Sequence, residues 1–98
     1  MLSFPRAGPL GHLLEVAALF VEGGVSIDVL QGVIANAETS VTEYELRDLR
    51  TALRSAGNAL EFGRFMMSDA DAMVAAREIA LDVAAVVRRS VVLEEAGD

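Results

Sequence analysis

An all-α fold is predicted for this 98-residue chain, a compact four-helix domain in which two short N-terminal helices pack on a long antiparallel C-terminal helical hairpin. Three observations predict it. Apolar residues recur three and four apart along most of the chain, which is the helix period, and no segment alternates convincingly in steps of two. Capping and stop residues cut that pattern into four pieces. The last piece, Asp69 to Ala96, carries apolar residues over a wider arc than one small neighbouring helix hides.

Residues 1 to 8 read as an irregular arm, because Pro5 and Gly8 discourage regular structure, with Leu2 and Phe4 free to dock on the bundle. Pro9 suits the first position of a helix, where an absent amide proton has no partner to lose. That helix is predicted to run to Glu22, turning Leu10, Leu13, Leu14, Ala17 and either Phe20 or Val21 inward, and Gly23 and Gly24 stop it.

Ser26 is the expected N-cap of a second helix, with Asp28 in its first turn complementing the helix dipole. Leu30, Val33, Ile34 and Ala37 give it a buried face ending near Ala37, and Gly32 weakens its middle by about 1 kcal/mol relative to alanine. Two overlapping capping-box patterns follow, Ser40 to Glu43 and Thr42 to Glu45. They open a third helix whose Leu46, Leu49, Leu53, Ala56 and Leu60 form a short heptad seam ending at about Phe62. Gly63 is its predicted stop, Arg64 to Met67 the link, and Ser68 the cap of the fourth helix. So short a link between two long helices implies an antiparallel pair.

On the fourth helix Met73, Ala76, Ile79, Ala80, Val83, Val86, Val87, Ser90 and Val91 spread across the apolar arc, and Asp71, Glu78, Asp82 and Arg89 mark the wet stripe. The expected use of the surplus is self-association into a dimer, with Met73, Ala76, Ile79, Ala80, Val83, Val86, Val87 and Val91 as the interface. Phe62, Phe65, Met66 and Met67 cluster where the hairpin turns. They are either covered by the first two helices, the reading that burial favours, or exposed as a docking tip for a protein partner.

Composition narrows the chemistry. The length allows one domain, residues 1 to 98, with a core built of Ala, Val, Leu, Ile and Met, since only four Phe and one Tyr are present. A net charge of −7 opposes sequence-independent attraction to nucleic acid or to an anionic membrane surface. All the basic residues are arginine, which excludes lysine Schiff-base chemistry, and zero cysteines exclude thiolates, disulfides and cysteine metal sites. No segment resembles a secretory leader or a bilayer span, so a cytoplasmic protein without stable membrane insertion is the default expectation.

His12 and Glu15 share a helical face, but one histidine leaves too few ligands for a metal site. Glu43, Glu45, Asp69 and Asp71 fall in first helical turns, where capping accounts for them without acid–base catalysis. Arg47, Arg50 and Arg54 make a basic edge that a helix-turn-helix would aim at DNA, yet Glu43, Glu45 and Asp48 occupy the start of the supposed recognition helix. Glu43 and Arg47, four apart, are the expected ion pair instead. No catalytic residue, cofactor or metal is therefore assigned. The leading expectation is a non-enzymatic protein–protein interaction and self-association module, a homo-oligomer with a further protein partner. Its rivals are a small apolar-ligand or lipid carrier, an acidic inhibitor or immunity-type protein for a basic partner, and, behind both, a DNA-binding helix-turn-helix.

Overall fold

Two serines start helices where capping chemistry requires it. In the computed structural model, which describes residues 1–95, the Ser26 hydroxyl accepts the Val29 amide at 3.3 Å and the Ser68 hydroxyl accepts that of Asp71 at 3.2 Å. The four helices are α1 (Pro9–Val21), α2 (Ile27–Ser40), α3 (Arg47–Met66) and α4 (Asp69–Ser90). Pro9 opens α1 as expected, and Gly23 leaves it with φ +85°, a left-handed conformation that glycine adopts without strain.

Each helix packs on two neighbours. α1 lies against α2 and α4, α3 lies against α2 and α4, and the α2–α4 diagonal is hardly used, so the four helices close a ring around one core. Only Met67 and Ser68 separate α3 from α4. Ala52, Ser55 and Ala56 share a groove with Ile79, Asp82, Val83 and Val86, so residues about equally far from the link meet, as a helical hairpin requires. Leu13, Phe20, Leu30, Ile34, Leu49 and Leu53 are fully buried, and among the described residues the core holds no polar or charged side chain. Burial of each large aliphatic side chain contributes about 1.5–3 kcal/mol.

Boundaries shift where local hydrogen bonds compete with the predicted caps. α2 continues past Ala37 because Thr39 and Ser40 donate their hydroxyls back to the Ala35 and Asn36 carbonyls, at 3.0 and 2.8 Å. Ser40 is therefore used by α2 and caps nothing after it. The Glu43 carboxylate accepts the adjacent Thr42 amide at 3.2 Å, and a single 3₁₀ turn, Tyr44–Leu46, precedes α3. Gly63 does not stop α3; it is buried inside the helix, which ends only where Met67 turns extended.

The largest correction lies at the ends of the chain. The fourth helix stops at Ser90 and does not continue toward Ala96, a residue outside those described. Val91 is extended, and Val92–Glu94 forms a strand, β2, parallel to β1 at Ser3–Pro5, with Phe4 opposite Leu93. β-Branched Val91 and Val92 fit a strand better than a helix end. The Val92 amide donates to the Leu2 carbonyl at 2.9 Å and the Arg6 amide to that of Glu94 at 2.7 Å. Alternate residues of β1 bond to β2, so Pro5, which has no N–H, faces away from the ladder. Two strands alone are marginal. Leu2, Phe4 and Leu93 supply the support by packing on the helical core, and Arg6 pairs with Glu95 at 2.8 Å.

The arm predicted to be irregular is thus ordered, and Gly11 is what admits it. A β-carbon on Gly11 would lie 1.8 Å from the Arg6 carbonyl oxygen, so the arm crosses the first turn of α1 with no room for a side chain. Gly11→Ala is expected to lower stability by about 1–3 kcal/mol, the overpacking cost exceeding the helix-propensity gain. Chemical denaturation checks this. A variant about 1 kcal/mol more stable than the parent, as propensity alone dictates, would show that the arm does not lie there.

Candidate interaction surface

Successive α-helical residues are 100° apart, and this rotation separates two faces at the C-terminal end of α3. Glu61 and Arg64 face α2. The Arg64 guanidinium pairs with the Asp28 carboxylate and donates to the Gln31 side-chain carbonyl at 2.7 Å, and the Gln31 amide donates to Glu61 at 2.5 Å. Farther along, Arg54 pairs with Glu38 at 3.0 Å. These exposed contacts mark the flank of α3 on which α2 lies, and the buried Leu30, Ile34 and Ala37 hold it in the core. Phe62 and Phe65 stand one residue further round the helix, where no element covers them.

The outcome is an apolar tip in solvent: Phe65 is 78% exposed, Met66 68%, Phe62 58% and Met67 41%. The favoured expectation that the first two helices cover this turn is corrected. α2 is committed to the Glu61–Arg64 side and leaves the opposite side open.

The eight positions expected to form a dimer interface, seven on α4 and Val91 just past its end, are divided by the fold. Ala76, Ala80, Val83, Val87 and Val91 are buried within the chain's own core and have no surface to give a second copy. The wide apolar arc is explained largely by two neighbours within the chain, α1 and α3. Ile79 and Val86 remain half-buried beside the outer α3–α4 groove, and Met73 is exposed next to the α1–α2 turn, near Ile27.

Sequence-level candidates for chemistry stay apart. His12 and Glu15 are both exposed, and no group of three or more potential metal ligands occurs among the described residues. The expected Glu43–Arg47 ion pair is replaced: Arg47 lies over the Tyr44 ring, 4.3 Å from its centre, and donates to the Tyr44 carbonyl at 3.2 Å. Among the described residues, no helix is long and apolar enough to cross a membrane. No protein-family model matches the chain, and no curated protein or solved structure gives a significant match.

Phe65→Ser combined with Met66→Ser is expected to leave helicity unchanged and stability within about 0.5 kcal/mol of the parent, because side chains already in water lose little on replacement. Circular dichroism melts check it. A loss of several kcal/mol would mean that the tip is covered in solution.

Proposed function

We propose that the chain is a non-enzymatic protein–protein interaction module whose contact surface is the end of the α3–α4 hairpin. One observation carries this reading: a group of aromatic and methionine side chains adjacent in sequence, Phe62, Phe65, Met66 and Met67, is held in water by a fold that buries Phe20 completely and Phe4 in part. Phenylalanine and methionine make large contacts at protein interfaces, and methionine adapts its shape to the surface it meets. Anchoring such groups on the last turns of a long helix places them on a rigid support, which limits the ordering cost of binding.

The charge distribution supports a protein partner with its own apolar surface. Arg64, the cation closest in sequence to the tip, is engaged by Asp28 and Gln31, leaving the aromatic face to make the contact. The net charge of −7 steers encounters toward basic surroundings.

The test compares the parent chain with the Phe65→Ser/Met66→Ser variant as bait in native cell extract. The parent is expected to retain a specific protein that the variant loses, while both remain equally helical. Equal capture by the two chains would reject the tip as the contact surface.

A further inference from the structure

α3 carries two stripes at heptad spacing. The inner one, Leu49, Leu53, Ala56, Leu60 and Gly63, is buried. Beside it runs an outer one, Ala52, Ser55, Ala59, Phe62 and Met66, half-buried or exposed throughout. α4 has a matching outer stripe in Ala75, Ile79, Asp82 and Val86, and the two flank the groove between the helices. A second seam of this spacing on each helix of a hairpin is the pattern of a bundle with further helices to receive.

Resting on the interaction-module reading, we infer that the occupant of this groove is a second copy of the chain, related by a two-fold axis running along the groove. α3 of each copy then faces α4 of the other, so facing helices run in opposite directions. Side-chain size gives the pairing. The groove sets Ala52, Ser55 and Ala56 against Ile79, Asp82, Val83 and Val86, and continuing that register Val86 meets Ala52, Ile79 meets Ala59, and Phe62 meets Ala75, a large residue opposite a small one each time. At the far end of the groove the same register brings Asp48 to Arg89 of the second copy. Both are exposed, and among the described residues neither has an ion-pair partner within its own chain. At the centre Asp82 faces the Ser55 hydroxyl, a donor for its carboxylate.

The opposite two-fold, with its axis across the helices, lays α4 on α4. Centred at mid-groove, that arrangement brings the two Asp82 carboxylates together and sets Val86 against Ile79, large against large. Area also suffices: helices of 20 and 22 residues present a face about 30 Å long and about 20 Å wide, so a pair of copies hides about 1,200 Å², the size of a specific interface. Being isologous, each contact occurs twice.

Sedimentation of the full chain across the micromolar range tests this, with Ala59→Glu and Ile79→Lys as variants. Ala59 is exposed, so its replacement leaves the fold intact and isolates the interface. The parent is expected to dimerise reversibly, and each variant to weaken dimerisation at least about tenfold. Since the chain has no cysteine, Ser55→Cys and Asp82→Cys chains can be mixed under mild oxidation. A mixed disulfide is expected in preference to either self-linked product. A parent that stays monomeric, a dimer indifferent to Ala59→Glu, or preferential self-linking of Ser55→Cys or of Asp82→Cys overturns the inference. If the parent is monomeric while the Phe65→Ser/Met66→Ser variant still loses a captured protein, the second copy is rejected and the interaction module stands.

Discussion

The alanine ridge of α4 is the constraint on which the rest of the structure depends. Ala72, Ala76, Ala80 and Ala84 recur every four residues and are buried, Ala80 completely. A side chain that ends at Cβ leaves room for α1, whose Ala17 and Ala18 line one groove with Ala80 and Ala84. The volume is made up by the leucines and phenylalanine of the other helices, among them Leu10, Leu13, Phe20, Leu53 and Leu60. With no buried polar group among the described residues to set the register, this large-against-small matching is what specifies one arrangement of four helices.

Once α4 is seated between α1 and α3, the ends of the molecule follow. Its last turn delivers Val91 and β2 beside the N-terminal arm, and the arm reaches β2 only by crossing Gly11. At the opposite end, Asp28 and Gln31 of α2 meet Glu61 and Arg64 of α3, and α2 covers only that flank of the hairpin. The apolar tip and the outer groove are the surfaces left over. The same packing that builds the core therefore decides which apolar residues remain free to meet another protein.

The helices were legible in the sequence because their signals are local. Ser26 and Ser68 cap, Pro9 and Gly23 bound α1, and the spacing of Leu49, Leu53, Ala56 and Leu60 marks a buried face. What escaped depends on contacts between distant residues. The β1–β2 pair joins segments about ninety residues apart in sequence, each too short to show a period of two, although the β-branched Val91 and Val92 hinted at an extended end. Gly11 looks like an ordinary helical residue until the Arg6 carbonyl is placed over it. The four tip residues were found, but their exposure was not, since it turns on which flank of α3 the Asp28–Arg64 contact assigns to α2. Likewise, the width of the apolar arc is legible in the sequence but its use is not, since five of the eight positions expected at an interface serve neighbours within one chain.

Enlarging the centre of the ridge tests the account most directly. Ala80→Leu adds three carbons where α4 meets its neighbours, whereas Leu81→Ala removes three from the adjacent position, which is 57% exposed. By chemical denaturation, Ala80→Leu is expected to lose about 1–3 kcal/mol or to fail to fold, and Leu81→Ala to stay within about 0.5 kcal/mol of the parent. An Ala80→Leu chain as stable as the parent would contradict the claim that close approach at this ridge holds the fold together.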